Sequence, residues 1–154
     1  MNAVVDVQRQ VNAGPEGEVL RGWVEAVLAA EGRQDELELT VRIVDANEIA
    51  VLNQRYRNKP GPTNVLSFPF EAPSGVSLNL LGDLVIAAPV VTEEARRQGK
   101  TETAHWAHLV VHGTLHLLGY DHQTAAQAEA MERREIRILH SLGYPNPYLL
   151  DEAS

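Results

Sequence analysis

The period of the apolar positions switches repeatedly along the chain, and each switch marks an element. Residues 3–11 alternate apolar and polar, as a half-buried strand does, and 12–17 read as a turn. From Pro15 the period lengthens. Leu20, Trp23, Val24, Val27 and Leu28 share one helical stripe, which Gly32 ends. Glu36 to Val44 returns to alternation, with Leu37, Leu39, Val41 and Ile43 facing one side. Asp45 and Glu48 have capping-box spacing and predict a helix to about Arg57. Asn58 to Pro62 is too rich in Pro and Gly to be regular, Thr63 to Phe70 is extended, and 71–79 is a loop. Leu81 to Ala87 is a further strand. Pro89 opens a short helix to Gln98, closed by Gly99. A helix over Thr101 to Leu118 is apolar on most sides and so buried. Thr124 caps a last helix to Leu142, with Met131, Ile138 and Leu142 on its inner side, before Pro145 and Pro147. The sum is an α/β chain of α+β-like organisation: a small, mixed, four-stranded sheet in a single layer, packed with about five helices.

Composition narrows this. At 154 residues the chain is most simply one domain, residues 1–154, with 44% hydrophobic and 22% charged residues. There is no cysteine, so disulfides and thiolate ligands are excluded and any metal must use His, Asp or Glu. The first six residues lack a basic start followed by an apolar run, so no signal peptide is expected, and no run approaches membrane-spanning length. A net charge of −8 argues against binding nucleic acid by bulk attraction.

Chemistry concentrates in residues 112–122, His-Gly-Thr-Leu-His-Leu-Leu-Gly-Tyr-Asp-His. His112 and His116 are four apart, so a helix sets them on one face with about 6 Å of rise between them. Gly119 ends the helix, and the returning chain offers His122 as a third ligand. Three nitrogens with an open position describe a catalytic metal site, one ion per chain. Zinc suits three imidazoles, as do nickel, copper and iron. His105 and His108 lie on the turns before and read as structural or supporting residues, and His140 as exposed and inert. Asp121 either orients a ligand imidazole or shapes the turn.

The spacing His-x3-His-x2-Gly-x2-His also matches the metzincin peptidases, whose general base is a Glu directly after the first His. That position here is Gly113, and Glu102 and Glu129 are poorly spaced to replace it. The substrate is better sought upstream. Between Ile49 and Phe70 there is no acidic residue, and Arg55, Arg57 and Lys59 make a local basic patch. Arg offers a planar fork for phosphate, and Lys59 and the hydroxyls of Thr63 and Ser67 can add contacts. The same cations also complement a helix C-terminus. Arg96, Arg97 and Lys100 form a second cluster that could extend the patch into a basic channel.

Three segments, read in order, resemble the YbeY family of bacterial metal-dependent endoribonucleases, also called rRNA maturation factors. They are Leu52 to Pro69, Leu81 to Ile86 (Leu-Gly-Asp-Leu-Val-Ile), and His105 to His122. One departure is Pro60, where family members commonly carry an acidic residue after the lysine. The resemblance implies zinc held by His112, His116 and His122 and a functional Arg57 near it. It implies cytoplasmic action on precursor rRNA, in small-subunit 3′-end maturation and ribosome quality control. Ribosomal or small-subunit proteins are then candidate partners, and neither DNA nor a membrane is.

These readings combine as hydrolysis of single-stranded RNA. Arg57 and a metal on His112 act at the phosphate, with Arg57, Lys59 and Ser67 holding substrate. The strand edge around Leu81–Val85 is expected to position the RNA backbone. Water and the RNA 2′-hydroxyl both remain as nucleophile. The rivals are a zinc peptidase lacking the helix Glu and a non-enzymatic ribosome assembly factor with a structural metal.

Overall fold

A computed structural model describes residues 3–73, 75 and 79–149; part of the loop expected over 71–79 lies outside the described residues. Element order is β1 (Ala3–Arg9), α1 (Gly17–Ala30), β2 (Leu37–Val44), α2 (Ala46–Arg57), β3 (Val65–Pro69), β4 (Leu80–Ala87), α3 (Ala88–Gln98), α4 (Glu102–Leu117) and α5 (Ala125–Ser141). The expected elements all form, most with slightly shorter ends.

The sheet runs β1-β2-β4-β3. β1 and β4 flank β2 in parallel, and β3 pairs antiparallel with β4. This mixed four-stranded sheet with five helices is the α/β arrangement that the apolar pattern predicts. One expectation fails. β4 is hydrogen-bonded on both sides, so Leu81–Val85 is no edge, and the exposed edge beside α4 belongs to β3. The parallel partner of β4 is β2, more than thirty residues earlier, which no local pattern encodes.

β4 accordingly buries both faces. Leu84 and Ile86 join Val41, Ile43 and the apolar sides of α1 and α4 in the larger core, while Val85 and Ala87 meet Ile49 of α2 on the other side. Pairing is irregular between Glu38 and Leu39, opposite Gly82. Gly82 has φ 138°, and a Cβ there would lie 2.2 Å from the Phe68 carbonyl oxygen, so only glycine lets β3 and β4 close at this point.

α4 is the helix that the site depends on. Thr101 caps it by accepting from the Ala104 N–H at 3.1 Å. Trp106, Ala107, Leu109, Val110, Val111 and Leu115 are all buried against the sheet and α1. Its other end closes at Gly119, φ 109°, whose N–H donates to the His116 carbonyl while the Tyr120 N–H donates to that of Leu115. This paired closure is a Schellman turn, and it aims residues 120–122 back across the helix end.

Candidate metal centre and cleft

The helix and its closing turn bring the three expected histidines together. One ring nitrogen from each of His112, His116 and His122 falls in a group whose members lie within 4.8 Å of one another. Ring centroids are 4.7 Å apart for His112 and His116, 4.8 Å for His116 and His122, and 5.6 Å for His112 and His122.

What fixes these rings is as informative as their spacing. His116 Nδ1 lies 2.8 Å from the Tyr120 carbonyl oxygen, so that nitrogen carries the proton and Nε2 keeps a free lone pair. The Schellman turn therefore both returns His122 and selects the tautomer of His116. Tyr120 is held by its hydroxyl donating to Glu31, the residue that caps the end of α1, and by Arg134, whose guanidinium lies 4.8 Å from its ring centre. Burial, followed by the neighbouring His112 and His122, pushes His116 down to about 4, so it stays neutral over the physiological range. With the outer ring nitrogens of His112 and His116 engaged by Glu135 and the Tyr120 carbonyl, and His122 converging on them, the three residues fit a divalent ion.

Sequence reasoning missed Glu135. It is fully buried on α5, and its Oε2 accepts from His112 Nδ1 at 2.7 Å. Its Oε1 faces His108 Nε2 at 2.9 Å and accepts from the Tyr148 hydroxyl. Burial alone would raise this carboxyl, but the hydrogen bonds from His108 and His112 outweigh it and hold it down at about 2. A signal was present. Glu135 stands on the stripe of Met131 and Ile138, where a carboxylate needs a dedicated partner.

The other histidines divide as expected. His105 is buried, with Nε2 on Glu94 Oε1 at 2.8 Å, and ties α4 to α3. His108 supports the centre through Glu135. His140 is exposed. Asp121 is a turn residue: its Oδ1 accepts the His122 N–H at 2.7 Å.

The three histidines open into a cleft of about 780 Å³ that Tyr56, Arg57, Lys59, Thr63 and Ser67 also line. Arg57 is the last residue of α2, and Asn58 follows in the left-handed conformation, φ 54°. Buried Asn53 donates from its side chain to the Gly61 carbonyl at 3.0 Å and folds the loop back. Tyr56 packs edge-on against Phe68 of β3, centroids 5.3 Å apart, which fixes the helix end beside the strand. Arg57 and Lys59 are exposed and make no salt bridge among the described residues. Ser67 faces α4, with its hydroxyl 3.4 Å from the Gly113 carbonyl.

The second basic cluster does not reach this cleft. Arg96 and Arg97 pair with Glu93, and the Lys100 ammonium donates to the Pro147 carbonyl at 3.0 Å. The basic channel reduces to the α2 end and its loop.

Residues 5–143 match the sequence model of the family described as Endoribonuclease YbeY. A curated Endoribonuclease YbeY from Alkalilimnicola ehrlichii is 60% identical over 140 residues, covering 90% of this chain and 84% of its own. One from Alteromonas mediterranea is 51% identical over 159 residues, covering 99% of this chain and all of its own. Among solved structures, the solution structure of a Thermotoga maritima protein superposes with a TM-score of 0.58 over 91% of this chain and 92% of its own, at 23% identity. That likeness speaks for the fold.

Proposed function

This chain belongs to the endoribonuclease YbeY family, and from that premise we propose a metal-dependent endoribonuclease that cuts single-stranded stretches of precursor rRNA. The observation that carries the reading is the shared cleft, lined both by His112, His116 and His122 and by Arg57 and Lys59, which form no salt bridge among the described residues. Phosphodiester chemistry asks for that pairing. The leaving group and the equatorial oxygens both gain charge in the transition state, and a positioned cation stabilises that charge best where water is partly excluded.

His112, His116 and His122 would hold one zinc ion, which supplies Lewis acidity toward a phosphoryl oxygen and a bound water of lowered pKa. Arg57 would grip the scissile phosphate with its planar fork. Lys59, on the loop that Asn53 restrains, would act on a neighbouring phosphate as a point charge. Ser67 sits on the edge strand β3, whose free backbone groups lie along the cleft. Its hydroxyl is turned toward Gly113, so its part in substrate binding is as an acceptor, for example from a 2′-hydroxyl. Single-stranded RNA, whose bases can splay out, is the substrate this reading assigns.

The peptidase alternative lacks its base for a packing reason. A Cβ on Gly113 would fall 2.7 Å from Leu84 Cδ2 and 3.3 Å from Ser67 Oγ. A side chain there must displace the buried Leu84 methyl, and a Glu would carry its charge into the packed interface of helix and sheet.

The wider biological reading extends the same proposal: 3′-end maturation of small-subunit rRNA, ribosome quality control, contact with small-subunit proteins, and a cytoplasmic site of action, with residues 1–154 working as one hydrolase domain. It is supported by family membership.

The test uses one RNA sequence offered single-stranded and as a duplex, to zinc-loaded and to metal-free protein. Internal cleavage of the single strand by the loaded protein alone is expected. Equal cleavage by metal-free protein, or cleavage of an unstructured polypeptide instead, overturns the proposal. End-group analysis then separates the nucleophiles, because a 2′,3′-cyclic phosphate marks attack by the RNA's own hydroxyl.

A further inference from the structure

Behind the metal centre, one carboxylate gathers three donors, two from α4 and one from the segment after α5. Glu135 of α5 is fully buried. It takes His112 Nδ1 on Oε2 at 2.7 Å, and on Oε1 both His108 Nε2 at 2.9 Å and the Tyr148 hydroxyl. Tyr148 belongs to the segment after α5. That segment is pinned by the Lys100 ammonium on the Pro147 carbonyl and by the Tyr148 N–H donating to Asn146 Oδ1 at 2.8 Å.

The protonation pattern can be read from what is left unpartnered. His108 Nδ1 is buried and has no hydrogen-bond partner. A proton there would be a buried donor with no partner among the described residues, whereas Nε2 faces Glu135, so the proton belongs on Nε2. His112 likewise directs Nδ1–H at the carboxylate, which leaves Nε2 for the ion. Among the described residues this carboxylate pairs with no Lys or Arg. A buried anion in that position lacks a full countercharge, and a cation on the far nitrogen of His112 provides one through the ring.

We propose that Glu135 is the positioning residue of the metal centre and that the C-terminal segment, through Tyr148, is a working part of it. Glu135 fixes the tautomer and tilt of His112 and raises its basicity. Tyr148 and His108 hold Glu135 at the correct angle for that task. The chain end is therefore coupled to metal affinity although it contributes no ligand. The inference rests on the metal reading proposed above and adds to it a residue, a direction and a mechanism.

The experiment titrates metal-free wild type, Glu135→Gln and Tyr148→Phe with zinc in competition with a chromophoric chelator. The cobalt(II) absorption spectrum and the urea midpoint of each metal-free protein are recorded alongside. Glutamine keeps the shape and removes the charge, and it is expected to weaken zinc binding about 10- to 100-fold. Tyr148→Phe removes one hydroxyl from a partly exposed ring, so it folds; it is expected to weaken zinc about two- to fivefold. Both variants shift the cobalt bands. Wild-type affinity and spectrum in Tyr148→Phe and in Glu135→Gln, with only a lowered urea midpoint, would make the network purely structural and overturn the proposal. Should Glu135→Gln not fold, an unchanged Tyr148→Phe overturns it alone. A wild type that binds no zinc overturns the metal reading and this inference together, which tells the two failures apart.

Discussion

Gly113 of α4 and Leu84 of β4 are in such close contact that a Cβ on the glycine would stand 2.7 Å from the leucine methyl. The pair sets the height of α4 over the sheet, and with it the depth at which His112 and His116 meet the cleft. Any side chain at the position of the peptidase base would meet this buried leucine. Gly113→Glu is expected to lose about 3 kcal/mol or more of stability, from overpacking and a buried charge together, and to gain no proteolytic activity. Urea unfolding and a casein digest check the two halves.

Lys59 is exposed on the loop after α2 and has no carboxylate partner among the described residues. If its role is one phosphate contact, Lys59→Ala weakens binding of single-stranded RNA without sequence preference. The slope of log affinity against log salt then falls by about 0.7, one single-strand phosphate contact. Binding isotherms at four salt concentrations measure it. An unchanged slope would remove Lys59 from the substrate path.

Glu135 gives acid sensitivity with a defined sign. Its carboxyl is held at about 2 in the folded chain, against 4.5 as an ordinary glutamate, because hydrogen bonds from His108 and His112 override its burial. A depressed carboxyl stabilises the fold fully above its unfolded pKa and loses that contribution as pH falls toward the folded value. Metal-free protein is therefore expected to lose about 3 kcal/mol from this group between pH 4.5 and 2. Glu135→Gln should flatten that part of the curve, as read from urea midpoints at each pH.

His105 separates structure from chemistry. Its Nε2 lies on Glu94, and Asn64, just before β3, donates to the same oxygen at 3.0 Å. Glu94→Ala leaves a buried imidazole unpaired and is expected to cost about 1–3 kcal/mol. Zinc affinity should be unaltered. A large loss of zinc binding would mean that His105 acts on the centre after all.

The sequence disclosed the centre because helical spacing and a terminating glycine are local. His112, His116 and Gly119 encode the face, the turn and the return of His122 within eleven residues. Arg57 and Lys59 were legible as a basic stretch in an acidic chain, though not that the fold sets them in one cleft with the histidines. What stayed hidden depends on distant pairing. The Leu81–Val85 segment looks like any half-buried strand until β2 and β3 are seen on either side of it. Arg96 and Lys100 look like Arg57 and Lys59 until their partners Glu93 and Pro147 are known. Glu135 lay in plain sight on an apolar stripe, but its partners His108, His112 and Tyr148 come from 27 and 23 residues before it and 13 after.

The account turns on His112, His116 and His122 holding an ion that the reaction needs. The direct measurement is the zinc content of purified wild type and His116→Ala by mass spectrometry, with each preparation assayed on the same single-stranded RNA and checked for folding by circular dichroism. The account predicts close to one zinc per wild-type chain. It predicts a folded variant with little zinc and a cleavage rate lowered by at least about two orders of magnitude. A folded, zinc-free His116→Ala that cleaves at the wild-type rate would contradict it.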